Sequence, residues 1–575
     1  MKDKGKRVAF YFVDQYHQFT KKRKQKMEGR FKEEWSKAEG GKAGPTDRPA
    51  LGKQPHILFI LADDYGFHDI GYHMAEVLTP TLDKLANDGV KLEQYYVQPV
   101  CTPTRSQLMS GRYQIRTGMQ HGVIRPPQPD GLPLDEVLLP KALKMCGYNT
   151  EMVGKWHLGF FQKEYCPQNR GFDHFMGFYT GSEDFYTHTK CFSGMCGYDF
   201  REAYAPEAKI PEVIRYDLND TYSTGAFAAN LHQRLSVTDP KVPLFTYLSF
   251  QAVHSPLQAP RKYIDIYRNM KNRKRRNYNA MVTSMDKAIY QVIKSYKQFD
   301  FWENTILIFS SDNGGNVKAG ASNWPLRGQK GSLYDGGIRS IGFVHSPLLP
   351  VNRMGATSYH MMHITDWFPT IMHLAGCQTL NYGGKPLDGV SQVRALWAGG
   401  DTKDMARKEI LHAMDPLAEM KYYEDPRNFQ ILNDRNFKIN YQSALRWNQW
   451  KLITGSPGRQ TGWDVPPTRM HGNATSIFDQ VALPEIAYID DVKANFDDEA
   501  TVEEKKEIRN RRRAAQRQRR RRRSLDKPVF TMSEQEAEAE LLTGSKSSMS
   551  LEQKLEAKRQ KQMERKKRKS GNYLL

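Results

Sequence analysis

Several side chains that can bind a cation come directly after apolar runs of the chain. Asp63 and Asp64 end the run ILFILADD, and Asp312 and Asn313 end the run TILIFSSDN. Three carboxylates and one amide oxygen make a hard-oxygen ligand set, which suits Ca²⁺ or Mg²⁺ better than Zn²⁺. Each pair also has an ordinary interpretation, as a helix cap or as an Asp-Asn-Gly-Gly turn. Their common position at strand ends is what favours a metal site.

Groups that can move a proton or bind an anion occupy similar places. Lys155 lies near the end of the run TEMVGKW, His157 follows that run, and His254 follows the run PLFTYLSF. A single histidine near a core is usually only hydrogen-bonded, but imidazole beside a cation site is suited to acid–base catalysis. Ligands of open α/β sheets bind beyond the carboxyl ends of the strands. We therefore expect these side chains to meet the oxygen ligands.

A cysteine begins the segment CTPTRSQLMSGR, and Arg105 follows Cys101 by four residues. A catalytic cysteine needs a nearby base and a lowered thiol pKa. Arg105 would lower that pKa, whereas the purely structural interpretation is a small buried thiol. Because a thiolate is an unusual nucleophile beside a hard cation, the Cys-x-Pro-x-Arg pattern leaves a third interpretation open.

The elements that must position these residues follow from the hydrophobic pattern. Continuous apolar runs predict strands buried on both faces, and a further strand is expected over IRSIGFVHS at 338–346. Apolar residues spaced by three or four predict an amphipathic helix over 278–296. Another helix is expected to begin after Thr79 as N-cap, with Pro80 as its first residue. This alternation predicts an α/β fold with a large, mostly parallel, doubly wound sheet flanked by helices.

Charge and composition divide the chain into regions. Its formal charge is +21, but residues 1–50 hold 14 Lys+Arg against 7 Asp+Glu, and residues 501–575 hold 23 against 11. We expect a basic, disordered N-terminal extension over 1–54 and a catalytic domain over 55–407. A small C-terminal α+β subdomain with an antiparallel sheet is expected over 408–494, and a basic, low-complexity, disordered tail over 495–575.

The arginine runs at 511–523 and 565–569 are typical of weak, salt-dependent polyanion binding, although a solvated tail is the simpler interpretation.

No run reaches the roughly 18 apolar residues of a membrane helix, so no integral membrane segment is expected. The first residues lack the apolar core of a signal peptide, which taken literally predicts a cytosolic start. Six cysteines are too few for a disulfide scaffold. Cys191 and Cys196 are close enough to pair, or could equally be ordinary thiols.

The segment CTPTR with its SGR continuation resembles the modification signature of the sulfatases, and GKWHLG at 154–159 resembles their second signature. The resemblance extends from about His56 to Ser456. Five collinear blocks, among them DNGG and the late WKLITG, are most similar to the subgroup of arylsulfatase B (N-acetylgalactosamine-4-sulfatase) and arylsulfatases I and J. The resemblance implies an alkaline-phosphatase-like sulfatase fold and hydrolysis of sulfate esters.

The resemblance also implies that the formylglycine-generating enzyme oxidises Cys101 to formylglycine in the secretory pathway. The hydrated aldehyde would attack sulfur with one hydroxyl and release sulfate by collapsing back to the aldehyde. Asp63, Asp64, Asp312 and Asn313 would hold Ca²⁺ together with residue 101. Arg105 and Lys155 would stabilise the diol. His157 would accept a proton. His254 and Lys330 would bind the sulfate, and either could protonate the leaving alcohol.

The implied substrate is a sulfated glycan, with 4-sulfated N-acetylgalactosamine of glycosaminoglycans as the specific expectation, and aryl sulfates in vitro. The implied location is lysosomal or secreted, with which the glycosylation sequons at Asn219 and Asn473 agree. The family's late Asp-Pro-x-Glu segment is replaced by SIFDQVALPEIAYIDD. Two alternatives stay open: a formylglycine-dependent phosphate or phosphonate ester hydrolase, and a non-catalytic polyanion-binding protein if Cys101 is unmodified.

Overall fold

The structure is a computed structural model of the chain, and it describes residues 53–74, 76–377, 385–400, 406–415, 442–455 and 457–458. The chain divides into two compact units, Met1–Gln480 and Val481–Leu575. All described residues belong to the first unit. The predicted tail over 495–575 and nearly all of the predicted extension over 1–54 lie outside the described residues, and the boundary between 407 and 408 stays a prediction. Among the described residues, no helix is long and apolar enough to span a bilayer.

The described strands are β1 (His56–Ala62), β2 (Val90–Leu92), β3 (Tyr95–Tyr96), β4 (Asn149–Lys155), β5 (His174–Phe178), β6 (Thr189–Phe192), β7 (Met195–Tyr198), β8 (Arg201–Tyr204), β9 (Val213–Ile214), β10 (Leu244–Ser249), β11 (Thr305–Ser311), β12 (Gly342–His345), β13 (Ala356–Ser358), β14 (Met362–His363), β15 (Glu409–Asp415), β16 (Gln442–Trp447) and β17 (Trp450–Thr454). The α-helices are α1 (Pro80–Asn87), α2 (Cys101–Ser110), α3 (Gln114–Thr117), α4 (Leu139–Lys144), α5 (Ser223–Leu235), α6 (Arg261–Ile266), α7 (Arg273–Gln298), α8 (Asp335–Ile338), α9 (Trp367–Leu374) and α10 (Val393–Trp397). Short 3₁₀ helices span Lys163–Tyr165, Pro167–Asn169, Pro206–Ala208, Tyr216–Leu218, Trp302–Asn304, Val317–Ala319, Val351–Arg353 and Ile364–Asp366.

A ten-stranded mixed sheet forms the centre of the fold, in the order β13-β2-β12-β11-β1-β10-β4-β5-β8-β9. The five strands from β11 to β5 are parallel, whereas β12 and β8 flank them antiparallel. A separate three-stranded antiparallel sheet contains β15, β16 and β17. The predicted α/β class, with a parallel centre and a small C-terminal antiparallel sheet, is confirmed.

The central strand β1 shows why its sequence is continuously apolar. All seven of its residues are buried. Leu58 and Ile60 pack in the cluster that also contains residues of helix α7, whereas Ile57 and Phe59 pack in the cluster on the other face. Because both faces of a parallel strand are covered, neither alternate set of side chains can be polar.

The two predicted helices are present, with one change of detail. The helix expected over 278–296 is α7, and its observed bounds are Arg273–Gln298. Thr79 is the N-cap residue of α1, as predicted, but its side chain does not cap that helix. The Thr79 hydroxyl instead accepts a hydrogen bond from Gly71 N at 2.7 Å. The buried carboxylate of Asp286 on α7 accepts from the first free N–H groups of α1, so a tertiary contact replaces the local cap.

The strand expected over 338–346 is present but shorter, because it covers only Gly342–His345. The short helix α8 ends at Ile338, and β12 begins only at Gly342. Between them, Ser340 N donates to Tyr95 O at 3.0 Å, which ties this corner to β3. β12 runs antiparallel to β11, a reversal that the apolar pattern does not encode.

Four of the six cysteines form disulfides. Cys191 and Cys196 are joined across the hairpin of β6 and β7, which decides between the two possibilities left open by the sequence. Cys146 and Cys377 form a second disulfide that sequence reasoning missed, because 231 residues separate them. The remaining two cysteines, Cys101 and Cys166, are free and buried.

A buried histidine gives the first testable prediction. His174 on β5 lies 2.7 Å from Glu151 and 3.0 Å from Glu202. Burial alone would lower its pKa, but the two carboxylates raise it above the ordinary value. A raised folded-state pKa stabilises the fold below the unfolded pKa of about 6.5, and this stabilisation is lost as the pH rises through the folded pKa. We expect His174→Gln to lower the free energy of unfolding by about 1–3 kcal/mol near pH 6, and by less near pH 8. Urea unfolding at both pH values measures this, and a loss that grew with pH would contradict it.

Candidate active site

The carboxyl ends of four parallel strands bring the predicted site residues to one edge of the sheet. In the register of the ladders, Leu61 of β1 lies opposite Ser249 of β10, and Ser249 lies opposite Gly154 of β4. On its other side, Ala62 of β1 lies opposite Ser311 of β11. The residues that follow these positions are Asp63 and Asp64 after β1, Lys155 and His157 at the end of β4, His254 after β10, and Asp312 and Asn313 after β11.

Helix α2 carries Cys101 as its first residue, and all ten of its residues are buried. Gly111 ends this helix in the left-handed conformation, where a Cβ would come within 2.8 Å of Phe368. The Thr104 hydroxyl donates to the backbone carbonyl of Asp312 and accepts from Gln98 N. The start of α2 is thereby attached to the end of β11.

Two fully buried ion pairs form the framework of the site. Lys155 Nζ lies 2.6 Å from Asp63 Oδ2. Arg105 donates through Nη2 and Nε to Asp312 Oδ2, at 2.9 and 3.1 Å. Its Nη1 donates to Ser249 Oγ at 2.6 Å. Removing one member of a buried pair leaves an unpaired charge and costs about 3–5 kcal/mol, so these cations are held in place before any substrate binds.

The pKa values of Asp63 and Asp64 are lowered despite their burial. Burial is the largest influence on Asp63 and would raise its pKa, but Lys155 and then His254 keep that pKa below the ordinary value. Burial would likewise raise the pKa of Asp64, whereas Lys330 at 2.5 Å lowers it. Burial would lower the pKa of Lys330, but the negative groups around it, Asp64 first among them, together raise that pKa above the ordinary value. The site therefore contains charged carboxylates beside charged ammonium groups.

Cys101 lies between opposite charges. Its Sγ is 3.5 Å from Asp63 Oδ1, and Lys330 Nζ is 3.6 Å from that Sγ. Burial, followed by the charges of Asp312 and Asp63, raises the pKa of the thiol to about 12. The lowered thiol pKa considered from the sequence is not found, because the positive charge of Arg105, which is paired with Asp312, does not overcome burial and the two carboxylates. An unmodified Cys101 is thus a neutral thiol near pH 7.

The donor atoms of the site fit a hard divalent cation. Possible ligand atoms of Asp63, Asp64, Cys101 and His254 lie within 4.8 Å of one another. Asp64 Oδ2 and Asn313 Oδ1 are buried and have no hydrogen-bond partner among the described residues, although such atoms are normally satisfied. Carboxylate and amide oxygens are the donors that Ca²⁺ prefers. The Asp312 carboxylate, which accepts from Arg105 and from Asp64 N, lies outside this four-residue group.

One ring nitrogen of His157 donates a hydrogen bond, and the other can accept a proton. Its Nε2 lies 2.9 Å from the carbonyl oxygen of Ile124, and because a carbonyl only accepts, Nε2 must carry the hydrogen. Its Nδ1 is buried and lacks a hydrogen-bond partner in the part of the chain that the structure describes. Burial, and then the charge of Lys155, lower the pKa of His157 well below its ordinary value. The imidazole is neutral, with its lone pair at Nδ1.

His254 lies at the accessible side of the site, with 21% of its side chain exposed. Its Nδ1 donates to Ser255 O at 2.6 Å, and its Nε2 lies 3.7 Å from Asp64 Oδ2. All ten predicted site residues thus lie in one region. Sequence reasoning missed Ser249, which contacts Arg105 and donates to Lys155 O at 2.8 Å. Ser249 could have been noticed as a polar residue near the end of the apolar run PLFTYLSF.

Paired charges, hard-oxygen donors and a buried neutral histidine meet at the carboxyl edge of the α/β sheet, an arrangement suited to the hydrolysis of anionic esters. The family model described as Sulfatase matches residues 55–377, more than half of the chain, and the chain belongs to the sulfatase family. The chain is a sulfatase enzyme, so the predicted family and reaction class are confirmed.

Individual relatives agree with this assignment. The chain is 49% identical to arylsulfatase J of Mus musculus over 432 residues, which cover 74% of this chain and 69% of that protein. It is 29% identical to arylsulfatase A of Homo sapiens over 352 residues, or 58% of this chain and 66% of that protein. Identity to N-acetylgalactosamine-6-sulfatase of Sus scrofa is 29%, over 62% of this chain and 68% of that protein. The predicted likeness to the subgroup containing arylsulfatase J is confirmed.

Solved structures show the same fold. Ps i-CgsB is similar with a TM-score of 0.59 and 28% identity, over 70% of this chain and 84% of that chain. The PsFucS1 sulfatase from Pseudoalteromonas sp. has a TM-score of 0.56 and 25% identity, over 70% of this chain and 78% of that chain.

Proposed function

We propose that this sulfatase uses a formylglycine formed from Cys101 and a bound Ca²⁺ to hydrolyse sulfate esters. The observation that carries the proposal is the surroundings of Cys101 Sγ, with a carboxylate of Asp63 at 3.5 Å and the ammonium of Lys330 at 3.6 Å. The unpartnered oxygens of Asp64 and Asn313 are donors for the cation. The ligands we assign are Asp63, Asp64, Asp312 and Asn313, together with residue 101.

Formylglycine supplies a hydrated aldehyde as the nucleophile, and Ca²⁺ supplies positive charge beside the sulfate oxygens. Arg105 and Lys155 act as fixed hydrogen-bond donors next to residue 101. Because their carboxylate partners already hold them in place, they stabilise developing negative charge without reorganisation. Fixed donors of this kind are usually the largest single contribution to catalysis.

Proton transfer is assigned to three groups. His157 accepts a proton at Nδ1, since its Nε2 hydrogen is committed to Ile124 O. His254 and Lys330 bind the sulfate, and either of them protonates the leaving alcohol. Both are partly exposed, with 21% and 16% of their side chains accessible, so a substrate can reach them. Such acid–base assistance contributes about 10²–10⁴-fold.

The charges of the site favour a sulfate anion. Three carboxylates over-compensate a divalent cation by one charge, and the three cations Arg105, Lys155 and Lys330 restore a net positive charge. All three cations are in contact with site carboxylates. A positively charged site within low-dielectric walls attracts anionic substrates and raises their local concentration.

We assign a sulfated glycan as the natural substrate, specifically the 4-sulfated N-acetylgalactosamine of glycosaminoglycans, and the formylglycine-generating enzyme as a partner. The N-acetylgalactosamine-6-sulfatases among the relatives are consistent with a sugar substrate. The two disulfides agree with an oxidising compartment, lysosomal or extracellular. Asn219 and Thr221 of the first glycosylation sequon are exposed, as glycosylation requires.

A comparison of two aryl esters tests the proposal. We expect the full chain, produced in cells that contain the formylglycine-generating enzyme, to show a kcat/KM for an aryl sulfate at least about tenfold above that for the matching aryl phosphate. The physical reason is that the aryl sulfate and the aryl phosphate carry different charges. Hydrogen-bond donors and charges held in fixed positions cannot suit both anions equally well. Preferential turnover of the phosphate would contradict the proposal and favour the phosphate-ester alternative.

A further inference from the structure

The hairpin of β6 and β7 is fixed at its base by buried contacts. The imidazole of His188 is completely buried and lies 3.0 Å from Glu183 Oε1 and 3.1 Å from Leu218 O. The backbone carbonyl of His188 accepts from Asp199 N at 2.8 Å. Further along, the disulfide between Cys191 and Cys196 closes the hairpin. Lys190 is therefore presented by a constrained segment, between the buried His188 and the disulfide.

The loop before this hairpin packs directly against the catalytic histidine. A Cβ on Gly181 would lie 2.6 Å from the His157 ring, so the two residues are in close contact. Ser182 is the next residue, and Lys190 Nζ donates to Ser182 Oγ at 2.8 Å. The ammonium group of Lys190 is thus attached to the loop that forms one wall beside His157.

The same loop is bound to the end of β10 on its other side. Glu183 N donates to Gln251 Oε1 at 2.9 Å, and Gln251 Nε2 donates back to Glu183 O at 2.7 Å. The carbonyl of Gln251 in turn accepts from His254 N at 2.9 Å. The Lys190 loop is therefore connected to the segments that carry both His157 and His254, on the accessible side of the site.

Lys190 differs from the other cations of the site in its partners. Arg105, Lys155 and Lys330 each contact a carboxylate, whereas no carboxylate of the described residues lies within 4.0 Å of Lys190 Nζ. The Lys190 side chain is partly exposed. Its pKa lies below the ordinary value, because of burial and then the positive charge of Lys155. An ammonium group in this position gains from a bound anion.

We propose that Lys190 is a specificity-determining residue that binds a second anionic group of the substrate, on the sugar next to the sulfated one. This inference rests on the proposed function, because it places the ester sulfate beside residue 101 and Lys330. The chemistry it recognises is an anionic oxygen, either of a uronate carboxylate or of a second sulfate. The Ser182 hydroxyl holds the ammonium at the loop that contacts His157, and the site then prefers polyanionic glycans to simple aryl sulfates.

The variant Lys190→Gln, in the full chain, tests this role. The substrates are an aryl sulfate, a disaccharide of sulfated N-acetylgalactosamine with a uronate, the same disaccharide with the carboxylate reduced to an alcohol, and that reduced disaccharide carrying a second sulfate. We expect kcat/KM for the uronate disaccharide to fall about tenfold or more, mainly through KM, because a hydrogen bond to a charged group is lost. For the aryl sulfate and the singly sulfated reduced disaccharide, we expect at most about a twofold loss from the weaker positive potential.

Two further variants complete the experiment. Lys190→Arg keeps the charge and should restore most of the preference for the uronate disaccharide. Lys241→Gln is the matched control, because Lys241 is exposed and precedes β10 at the end opposite Ser249. A large loss on the doubly sulfated reduced disaccharide as well shows that a second sulfate can take the place of the carboxylate, whereas a large loss on the uronate disaccharide alone identifies the carboxylate as the second anion.

Equal losses on all four substrates, or no loss on any, would overturn the assignment of Lys190. Absence of aryl sulfate turnover in the wild type would instead contradict the proposed function. In that case, calorimetric dissociation constants of the same disaccharides decide about Lys190: a charge-dependent loss of affinity in Lys190→Gln supports the assignment, and unchanged affinity overturns it.

Discussion

Cys101→Ala is expected to abolish hydrolysis of aryl sulfates, with a fall in kcat on the order of 10⁴-fold or more, as when a nucleophile is removed from an enzyme. The variant should remain folded, because alanine removes only one buried sulfur atom and the ion pairs around it do not involve the thiol. Circular dichroism and a melting curve serve as the check on folding. Residual turnover near the wild-type rate would show that residue 101 is not the nucleophile.

Mass spectrometry of the peptide that carries Cys101 separates the possible nucleophiles. In wild-type protein from its natural source, we expect the mass of an aldehyde in place of the thiol. The matched control is Cys101→Ser, which keeps a side chain of similar size but lacks the thiol that is lost when Cβ is oxidised to the aldehyde. An active wild type with an unmodified thiol would contradict the formylglycine proposal, and an inactive one would favour the polyanion-binding alternative.

Asp64→Asn is expected to remove calcium-dependent stabilisation and activity together. Asp64 Oδ2 is buried and has no hydrogen-bond partner within the described segments, so a cation is the natural occupant beside it. At a Ca²⁺ concentration about 100 times the dissociation constant, binding should stabilise the wild type by about 2.7 kcal/mol. Melting temperatures measured with Ca²⁺ and with a chelator report this stabilisation independently of turnover.

Asp64 tests the cation better than Asp312 does. Each substitution breaks an ion pair, but Asp64→Asn leaves Lys330, which is 16% exposed, whereas Asp312→Ala would leave Arg105 as a fully buried unpaired charge. The control for Asp64→Asn is Asp88→Asn, which removes an exposed carboxylate that pairs with Lys84 on the surface. A full calcium-dependent shift in Asp64→Asn would exclude Asp64 as a ligand.

The positions of the site residues could be predicted because they depend on strand ends. An apolar run followed by Asp63 and Asp64, and another followed by Asp312, place these carboxylates at the same edge once the strands are parallel neighbours. Lys155 joins them for the same reason, since β4 ends at this residue. The hydrophobic pattern contains all the information that this step requires.

Other features depend on contacts between distant parts of the chain, which no local pattern records. The capping of α1 by Asp286, more than 200 residues away, is one case. The disulfide of Cys146 with Cys377 is another. Lys190 was overlooked because its segment is polar and short, and only the fold connects it to His157. The signature residues identify the chemistry, whereas the residues around the opening have to be found in three dimensions.

The burial of helix α2 restricts when Cys101 could be modified during folding. Cys101 retains only 2% of its exposure, and every other residue of the helix is buried as well. On the formylglycine proposal, an oxidising enzyme can reach the Cys101 Sγ only while this segment is still unfolded. Oxidation and folding therefore compete, and the ratio of their rates fixes the fraction of molecules that ever become active. A molecule that folds first remains inactive until it unfolds again, so slower folding should yield a more active population.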